Sequence, residues 1–291
     1  MDKPLLNEAK TLTRAHHQIL FMSWAGWVFD FYDLILYTFL LIPIGRELGL
    51  SNVQLSFVLG SSLAATAAGG VVFGLLSDRF GRKTVLQWTI LCYSIGTFLS
   101  GLSPNLGLLL VFRVITGLGV GGEWATGQTY VGETFPAHVR GRYGGFMQTG
   151  APIGVALASV VGGIVAPEIG WRAAFFLSFL PAVLVIFIRT KLPESDVWLL
   201  SRQRREAGAE RALPATEDFA RKIRLLFSDS YRRIFIFSLI LAVFDMSAYW
   251  FTYSWLPGYL HEERHFSMVK SALWVLVTQA GGFLGYFTFG F

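Results

Sequence analysis

Charge is scarce in this chain. Charged residues make up 15% of its 291 residues, whereas about a quarter of the residues of a typical soluble protein are charged. Hydrophobic residues account for 53% and aromatic residues for 15%. Because so apolar a composition leaves little polar surface to face water, it excludes an ordinary soluble protein.

Cysteine and signal-peptide features are also missing. The single cysteine, Cys92, lies inside an apolar segment, so a disulfide within the chain is excluded. The first 17 residues contain Lys3, Lys10 and Arg14 but no apolar core before Ile19. This is not the pattern of a cleaved signal peptide.

Catalytic and metal-binding patterns are absent too. No nucleophile, base and oxyanion constellation is present, so we predict that the protein is not an enzyme and uses no cofactor. The histidines fall in predicted loops or termini, at spacings that do not collect enough ligands for a metal. They are His16, His17, His138, His261 and His265.

Long apolar runs are what the chain has in abundance. A membrane-spanning helix needs about 20 largely apolar residues, and eight segments meet or approach that length. They are too long, and alternate too little, for the strands of a β-barrel. The sequence therefore predicts an all-α membrane protein with spanning helices at residues 18–44, 53–76, 84–102, 106–131, 143–166, 171–190, 234–258 and 269–291.

The basic residues set the orientation of these helices. If the N-terminus is inside, nineteen of the 24 Lys and Arg lie on the cytoplasmic side, four lie on the opposite side, and Arg113 lies within a helix. Since basic residues collect in cytoplasmic loops, we predict a multi-pass protein with a cytoplasmic N-terminus. The net charge of +5 then reflects this topology and contact with lipid headgroups, and nucleic acid is not a predicted partner.

Five charged residues lie inside predicted helices, where a charge at the bilayer centre costs about 2.5–3.5 kcal/mol and usually has a function. Asp30 and Asp33 share one face of the first helix because they are three residues apart. Burial and mutual repulsion favour a proton on such a pair. The predicted proton-coupling residues are Asp30, Asp33, Glu123 and Asp245. The alternative is that these acids only form hydrogen bonds between packed helices.

Arg113 is the natural counter-charge for these acids. It lies in the outer half of the fourth helix, and Asp33 lies slightly outward of the centre of the first, so the guanidinium can reach this carboxylate. The planar donor fork of arginine suits the carboxylate of an anionic ligand equally well. Glu123, ten residues further inward, is expected to take part in coupling or to partner the cytoplasmic basic turns.

A polar stretch separates the second and third apolar segments. It reads Gly74-Leu-Leu-Ser-Asp78-Arg79-Phe-Gly81-Arg82-Lys83-Thr84. Its charges cannot lie in hydrocarbon, so we predict a tight turn in water. The stretch resembles the G-x-L-a-D-R-x-G-R-K signature of the major facilitator superfamily, which joins the second and third helices on the cytoplasmic side.

Further motifs carry the same resemblance. Residues 113–124 are similar to R-x-x-x-G-x-x-x-G-G-E-W, residues 133–142 to E-x-x-P-x-x-x-R-G, and residues 192–199 to P-E-S-P-R-W-L. The last departs from its pattern at residues 195–197, which weakens a sugar-porter assignment. Residues 145–154 only loosely resemble the G-x-x-x-G-P motif of antiporters, which argues against drug efflux.

One glycine-rich stretch also matches an unrelated motif. Gly117-Leu-Gly119-Val-Gly-Gly122 fits the G-x-G-x-x-G dinucleotide fingerprint, but no strand precedes it. We predict instead that these glycines allow close helix packing. The same prediction holds for Gly69, Gly70, Gly74, Gly150 and Gly154.

The combination of Asp30-Phe-Tyr-Asp33 with Gly122-Glu123-Trp124 looks like the organic-acid proton symporters, which include the metabolite, sialate and aromatic-acid families. The resemblance implies a secondary transporter that takes up a small organic anion, such as a monocarboxylate or aromatic acid, with at least one proton by alternating access. The alternatives are a sugar or polyol porter or a proton-coupled exporter of the same fold, and a non-transporting receptor.

The resemblance also implies roles for individual residues. Arg113 would anchor the substrate carboxylate, assisted by Tyr32, Gln148, Tyr249 and Tyr253. The polar turn would form an inner gate, in which Asp78 caps a neighbouring helix or pairs with Arg140 or Arg142. The alternative is a turn that only sets topology. The predicted gating residues are Gly74, Asp78, Arg79, Gly81, Arg82, Arg140 and Arg142.

An internal repeat gives the domain organisation. Val28-Phe29-Asp30 is followed by Pro43, and Val243-Phe244-Asp245 is followed by Pro257 at nearly the same distance. Two parallel six-helix halves are expected of this superfamily. We therefore predict an N-terminal bundle at 1–190, a cytoplasmic linker at 191–233 and the start of a second bundle at 234–291, with four further helices missing. An eight-helix protein is the alternative, and a monomer in the bacterial inner membrane is expected.

Overall fold

The computed structural model describes residues 5–180, 182–207, 215–262 and 264–289. Within these ranges, every regular element is helical. A short 3-10 helix, Leu6–Glu8, precedes the first long helix. The α-helices are α1 Arg14–Leu48, α2 Asn52–Phe80, α3 Arg82–Gly101, α4 Leu106–Thr134, α5 Ala137–Gln148, α6 Gly150–Val160, α7 Ala166–Ile169, α8 Trp171–Leu177, α9 Ala182–Lys191, α10 Asp196–Glu206, α11 Ala215–Leu226, α12 Arg232–Glu262 and α13 Met268–Phe289.

These helices cover all eight predicted apolar segments. Four stretches among the described residues are long and apolar enough to cross a membrane, namely α1, α2, α4 and the run Ala137–Ile169. Many large apolar side chains are exposed on these helices, as Phe57, Val71 and Val111 illustrate. Such a surface suits lipid rather than water.

The fifth predicted segment is helical but interrupted. It comprises α5, α6, a π-helical turn at Val161–Val165, and α7. Pro152 has no N–H to donate to the Gln148 carbonyl, which accounts for the break between α5 and α6. Pro167 similarly cannot donate to Gly163, next to the π-helical turn. The sixth segment comprises α8 and α9, and residues 178–180 form a turn after α8.

Glycines let α4 approach its neighbours closely, as the sequence predicts. α4 packs against α2 and α3, and α1 packs against α4 and α6. At Gly121, an added Cβ would overlap the Thr66 carbonyl of α2, and at Gly119 it would meet the Tyr93 backbone of α3. The glycine-rich run is therefore a packing surface. It lies within helix α4, and no strand precedes it among the described residues.

We predict a measurable cost for filling one of these contacts. At Gly154 of α6, an added Cβ would overlap the Val28 carbonyl of α1. Gly154→Ala should therefore lower the free energy of unfolding by about 1–3 kcal/mol, the usual cost of overpacking. Thermal unfolding in detergent measures this loss. Gly144→Ala is the matched control, because nothing lies within 4 Å of its Cβ position; equal losses in the two variants would contradict the close approach.

The chain forms two compact units. One comprises Met1–Leu200 with Ala272–Phe291, and the other comprises Ser201–Ser271. The first unit contains α1–α9 and therefore the predicted N-terminal bundle. The second unit contains α11 and α12, and hence Asp245.

Candidate functional site

Four buried charged residues of the first unit, two on each helix, lie along the interface between α1 and α4. Arg113 of α4 meets Asp33 of α1, and Glu123 of α4 lies against Gly26 of α1. Because residue numbers rise along one helix as they fall along the other, the two helices are antiparallel. The two meeting points are about 10 Å apart along α1, since each residue advances a helix by about 1.5 Å.

Asp33 and Arg113 form an ion pair in the interior. Nη1 of Arg113 lies 3.1 Å from Oδ2 of Asp33. Both residues are buried, at 0% and 1% exposure. The Thr97 hydroxyl of α3 donates a hydrogen bond to Oδ1 of Asp33. The pairing expected from the depths of the two residues is therefore present.

The Arg113 guanidinium is enclosed by aromatic rings. Its Cζ lies 4.7 Å from the centroid of Tyr37 and 6.0 Å from that of Phe175. Cation–π contact of this kind stabilises a desolvated cation. Arginine has five N–H donors, yet no nitrogen of this guanidinium forms a hydrogen bond of good geometry within the described part of the chain.

Asp30 and Glu123 form a second acidic group in the same interface. Both are 0% exposed. Glu123 and Asp33 both act electrostatically on Asp30. The Trp124 indole is close enough to act on Asp30, but its N–H and all four carboxyl oxygens lack a hydrogen bond of good geometry among the described residues. The expected basic partner for Glu123 at the cytoplasmic turns is not found in those ranges.

Two glycines make room for the Glu123 carboxyl. A Cβ at Gly26 of α1 would overlap it, and a Cβ at Gly127 of α4 would lie 3.3 Å from its Oε1. The Gly127 position also faces Met147 of α5 and Ser23 of α1. Glu123 thus points into the contact between α1 and α4.

The remaining predicted ligand and coupling residues lie on several different elements of the chain. Tyr32 is buried and lies beside Ser178 after α8. Gln148 is half-buried at the end of α5, and Asp245 is exposed on α12 in the other compact unit. Tyr249 and Tyr253 were also predicted, but their side chains lie outside the described residues.

The predicted polar turn is shorter than expected. α2 continues to Phe80, and a single residue, Gly81, separates it from α3. Gly81 has a φ of 99°, which only glycine adopts readily. The prediction of a turn from Gly74 to Thr84 was therefore too long, because the polar residues up to Phe80 lie on the helix surface and need no loop.

Arg82 is the centre of a charged network at this end of the bundle. Its Nη1 donates to Asp78 at 2.7 Å and to Ser77 at 3.2 Å. Nη2 and Nε donate to the two carboxyl oxygens of Glu133 at 2.6 Å and 3.1 Å. Burial alone lowers the pKa of Arg82, but the Glu133 and Asp78 carboxylates outweigh that effect and raise it.

The segment after α9 completes this network. The Glu194 carboxylate accepts hydrogen bonds from the backbone N–H groups of Arg82 and Lys83 at 2.8 Å and 3.1 Å, so it caps α3. The Ser195 hydroxyl donates to Glu133 at 2.6 Å, and the Trp198 indole donates to the Asp78 carbonyl at 2.9 Å. Glu133 and Glu194 lie in the motifs at residues 133–142 and 192–199, but neither was predicted as a site residue.

Four other predicted gating residues are less buried than Arg82. Arg140 is exposed and donates to the Phe135 carbonyl at 3.2 Å. Arg79 is exposed beside the Phe80 ring, and Arg142 is exposed on α5. Gly74 is half-buried, 3.9 Å from the Ala125 side chain at its Cβ position.

Comparisons with known proteins agree with this architecture. The sequence model of the Major Facilitator Superfamily matches residues 21–291. A putative metabolite transport protein of Haemophilus influenzae is 32% identical over 92% of this chain and 65% of its own length. The niacin transporter NiaP of Acinetobacter baylyi is 31% identical over 98% of this chain and 69% of its own length. This chain therefore spans about two thirds of these relatives.

A solved structure shares the fold. The crystal structure of a D-xylose–proton symporter superimposes with a TM-score of 0.69 and covers 93% of this chain and 67% of its own. Its sequence identity to this chain is 20%, so the likeness concerns the fold alone. Both sequence relatives are named as transport proteins, in agreement with the prediction that the chain is not an enzyme.

Proposed function

This chain belongs to the major facilitator superfamily, and we propose that the protein takes up a small organic anion together with a proton by alternating access. The buried Arg113 carries this proposal. Its guanidinium has N–H donors without well-formed hydrogen bonds in the described part of the chain, and such a fork binds carboxylates through two parallel hydrogen bonds. Asp33 occupies the guanidinium when no substrate is bound.

The proton in this scheme resides on Asp33. Protonating Asp33 removes its negative charge and frees Arg113, and a substrate carboxylate then restores the balance of charge. Either both ligands are present or the ion pair re-forms, because an uncompensated buried charge costs several kcal/mol. The protein with Asp33 protonated and the protein with Asp33 paired to Arg113 thereby differ in their affinity for substrate. Such a difference is what a conformational switch requires.

An organic acid fits this site better than a sugar. A sugar offers hydroxyls, whereas Arg113 and Asp33 supply a cation and its exchangeable counter-ion. The name of the niacin relative supports a carboxylic acid as the substrate, since niacin is an aromatic acid.

We also propose that the protein lies in the bacterial inner membrane with a cytoplasmic N-terminus. In this proposal residues 1–190 form the N-terminal bundle, residues 191–233 form a linker, and no cofactor is used beyond the proton gradient. Whether Asp245 takes part stays a prediction.

Uptake by the complete protein in proteoliposomes tests this function. Radiolabelled nicotinate, benzoate, lactate, a dicarboxylate and sialate are offered with an alkaline interior. We expect at least one acid to accumulate, and accumulation to collapse when a protonophore removes the gradient. Xylose and a polyol serve as neutral controls. Uptake of the sugar and of none of the acids would refute the proposal.

We expect Asp33→Asn to separate binding from coupling. Asparagine resembles protonated aspartate, so Arg113 stays free and acid binding persists with a weaker dependence on pH. Proton-driven accumulation should fall at least about tenfold, since one charge-balancing step is lost. Binding by calorimetry and uptake between pH 5.5 and 8 measure the two effects. A normal rate and normal pH dependence would show that Asp33 does not carry the proton.

A further inference from the structure

We propose that Asp30 and Glu123 form a second proton-binding site, in which the two carboxyls hold one proton between them, separate from the Asp33–Arg113 pair. The proton binding follows from the structure of the α1–α4 interface. Its part in transport rests on the function proposed above.

The first step is the closeness of the two acids. The Glu123 carboxyl lies against Gly26, and Asp30 follows Gly26 by four residues on the same face of α1. That spacing is about 6 Å along the helix, and Glu123 interacts electrostatically with Asp30. Both residues are 0% exposed, so the two carboxyls share one buried region.

The second step is the absence of a compensating cation. Arg113 is the buried cation of this interface in the described part of the chain, and its ion pair is with Asp33. No oxygen of Asp30 or Glu123 has a well-formed hydrogen bond in those residues. Two adjacent buried carboxylates without a partner would each cost several kcal/mol, and a shared proton removes most of that cost.

The third step concerns two buried hydroxyls on the same two helices, Ser23 of α1 and Thr126 of α4. Buried helical Ser and Thr usually bond the carbonyl four residues earlier, as Thr116 and Ser159 do here. By contrast, the hydroxyls of Ser23 and Thr126 are fully buried and without a hydrogen-bond partner among the described residues. The side chains of Ser23 and Glu123 both approach the Cβ position of Gly127. A buried hydroxyl without a hydrogen bond, close to a buried carboxyl without one, indicates a site suited to polar contact.

The groups facing this site come from several helices. Asp33 of α1 and the buried Tyr93 hydroxyl of α3 are the titratable neighbours. α5 contributes the apolar Met147. The Trp124 ring of α4 stacks on Phe31 of α1, with 5.4 Å between the ring centroids. None of these neighbours supplies a positive charge.

The site also has a place in the transport cycle. It lies inward of the Asp33–Arg113 pair on the antiparallel α1–α4 contact, on the path between that pair and the cytoplasm under the predicted orientation. The shared proton moves to water when the site opens to the cytoplasm, and one proton from outside water replaces it. The cycle therefore carries a proton on this pair in addition to that on Asp33.

Infrared difference spectroscopy of the protein in lipid tests the proton directly and needs no substrate. A protonated carboxyl has a C=O absorption that an ionised carboxylate lacks. We expect this band at neutral pH in the unmodified protein, an altered band in Asp30→Asn and in Glu123→Gln, and its loss in the double variant. Glu168→Gln, at an exposed glutamate, is the control and should leave the band intact. An undiminished band in the double variant, or no band at all, overturns the proposal.

Transport by the same variants tests the coupling role with the acid found to be a substrate. We expect Glu123→Gln to lose proton-driven accumulation at least about tenfold more than it loses exchange of labelled for unlabelled acid. Equal accumulation and pH dependence in Glu123→Gln and the unmodified protein would overturn the coupling role. If no acid is transported at all, the proposed function fails, while the infrared result still decides whether the proton is bound.

Discussion

Replacing Arg113 with methionine is expected to abolish uptake and to lower the free energy of unfolding by about 3–5 kcal/mol, the cost of leaving a buried charge unpaired. The variant removes the cation that pairs with Asp33 in the described interface. It also removes the cation that stacks on Tyr37. Uptake in proteoliposomes and thermal unfolding in detergent measure the two losses.

A double variant separates the structural role of Arg113 from its role as an anchor. Asp33→Asn in the Arg113→Met background removes the orphaned charge, so stability should recover by about 2 kcal/mol or more. Uptake should stay absent, because the anion has no donor fork. Arg113→Lys should bind the acid more weakly than the unmodified protein, since lysine cannot form two parallel bonds. Recovery of uptake in the double variant would contradict the anchor assignment.

The second large effect is expected at the cytoplasmic network. Arg82→Gln removes the donors that reach Asp78 and both oxygens of Glu133. Because this side chain is only 9% exposed, we expect a loss of about 3 kcal/mol in stability. We also expect uptake to fall at least tenfold, with faster hydrogen exchange at the end of α2 and the start of α3, if these contacts hold an inner gate.

Arg79→Gln is the matched control for this prediction. Arg79 belongs to the same polar stretch and carries the same charge, but it is exposed beside the Phe80 ring. A surface charge of this kind contributes less than about 0.5 kcal/mol. Similar losses in Arg79→Gln and Arg82→Gln would show that only the charge of the stretch matters, as expected of a turn that sets topology.

Sequence patterns were sufficient for the helices because hydrophobic length is a local property. In the described part of the chain, helices lie at all eight predicted segments, although a turn at residues 178–180 interrupts the sixth. The Gly117–Gly122 run packs against neighbouring helices as predicted. The breaks after Gln148 and at Val161–Val165 were not predicted, although Pro152 and Pro167 are visible in the sequence. Proline signals a lost hydrogen bond, but the surrounding packing decides whether the helix ends, kinks or widens.

The contacts of the cytoplasmic network were harder to predict from the sequence. Glu194 caps α3 from a segment more than a hundred residues away in the chain. The network also joins Glu133 to Ser195, which lie 62 residues apart in the chain. Such contacts depend on how the ends of α2, α4 and α9 meet, and spacing along the chain carries no information about that meeting.

The sequence by itself determined the class of protein and four of the charges that are buried, because both follow from the cost of placing polar groups in hydrocarbon. Only the tertiary structure decided how those charges are paired. Asp30 and Asp33 share one helix face, and either could have met Arg113. Glycines allow α1 and α4 to pack closely in one antiparallel register. In that register Arg113 pairs with Asp33, and Asp30 lies beside Glu123.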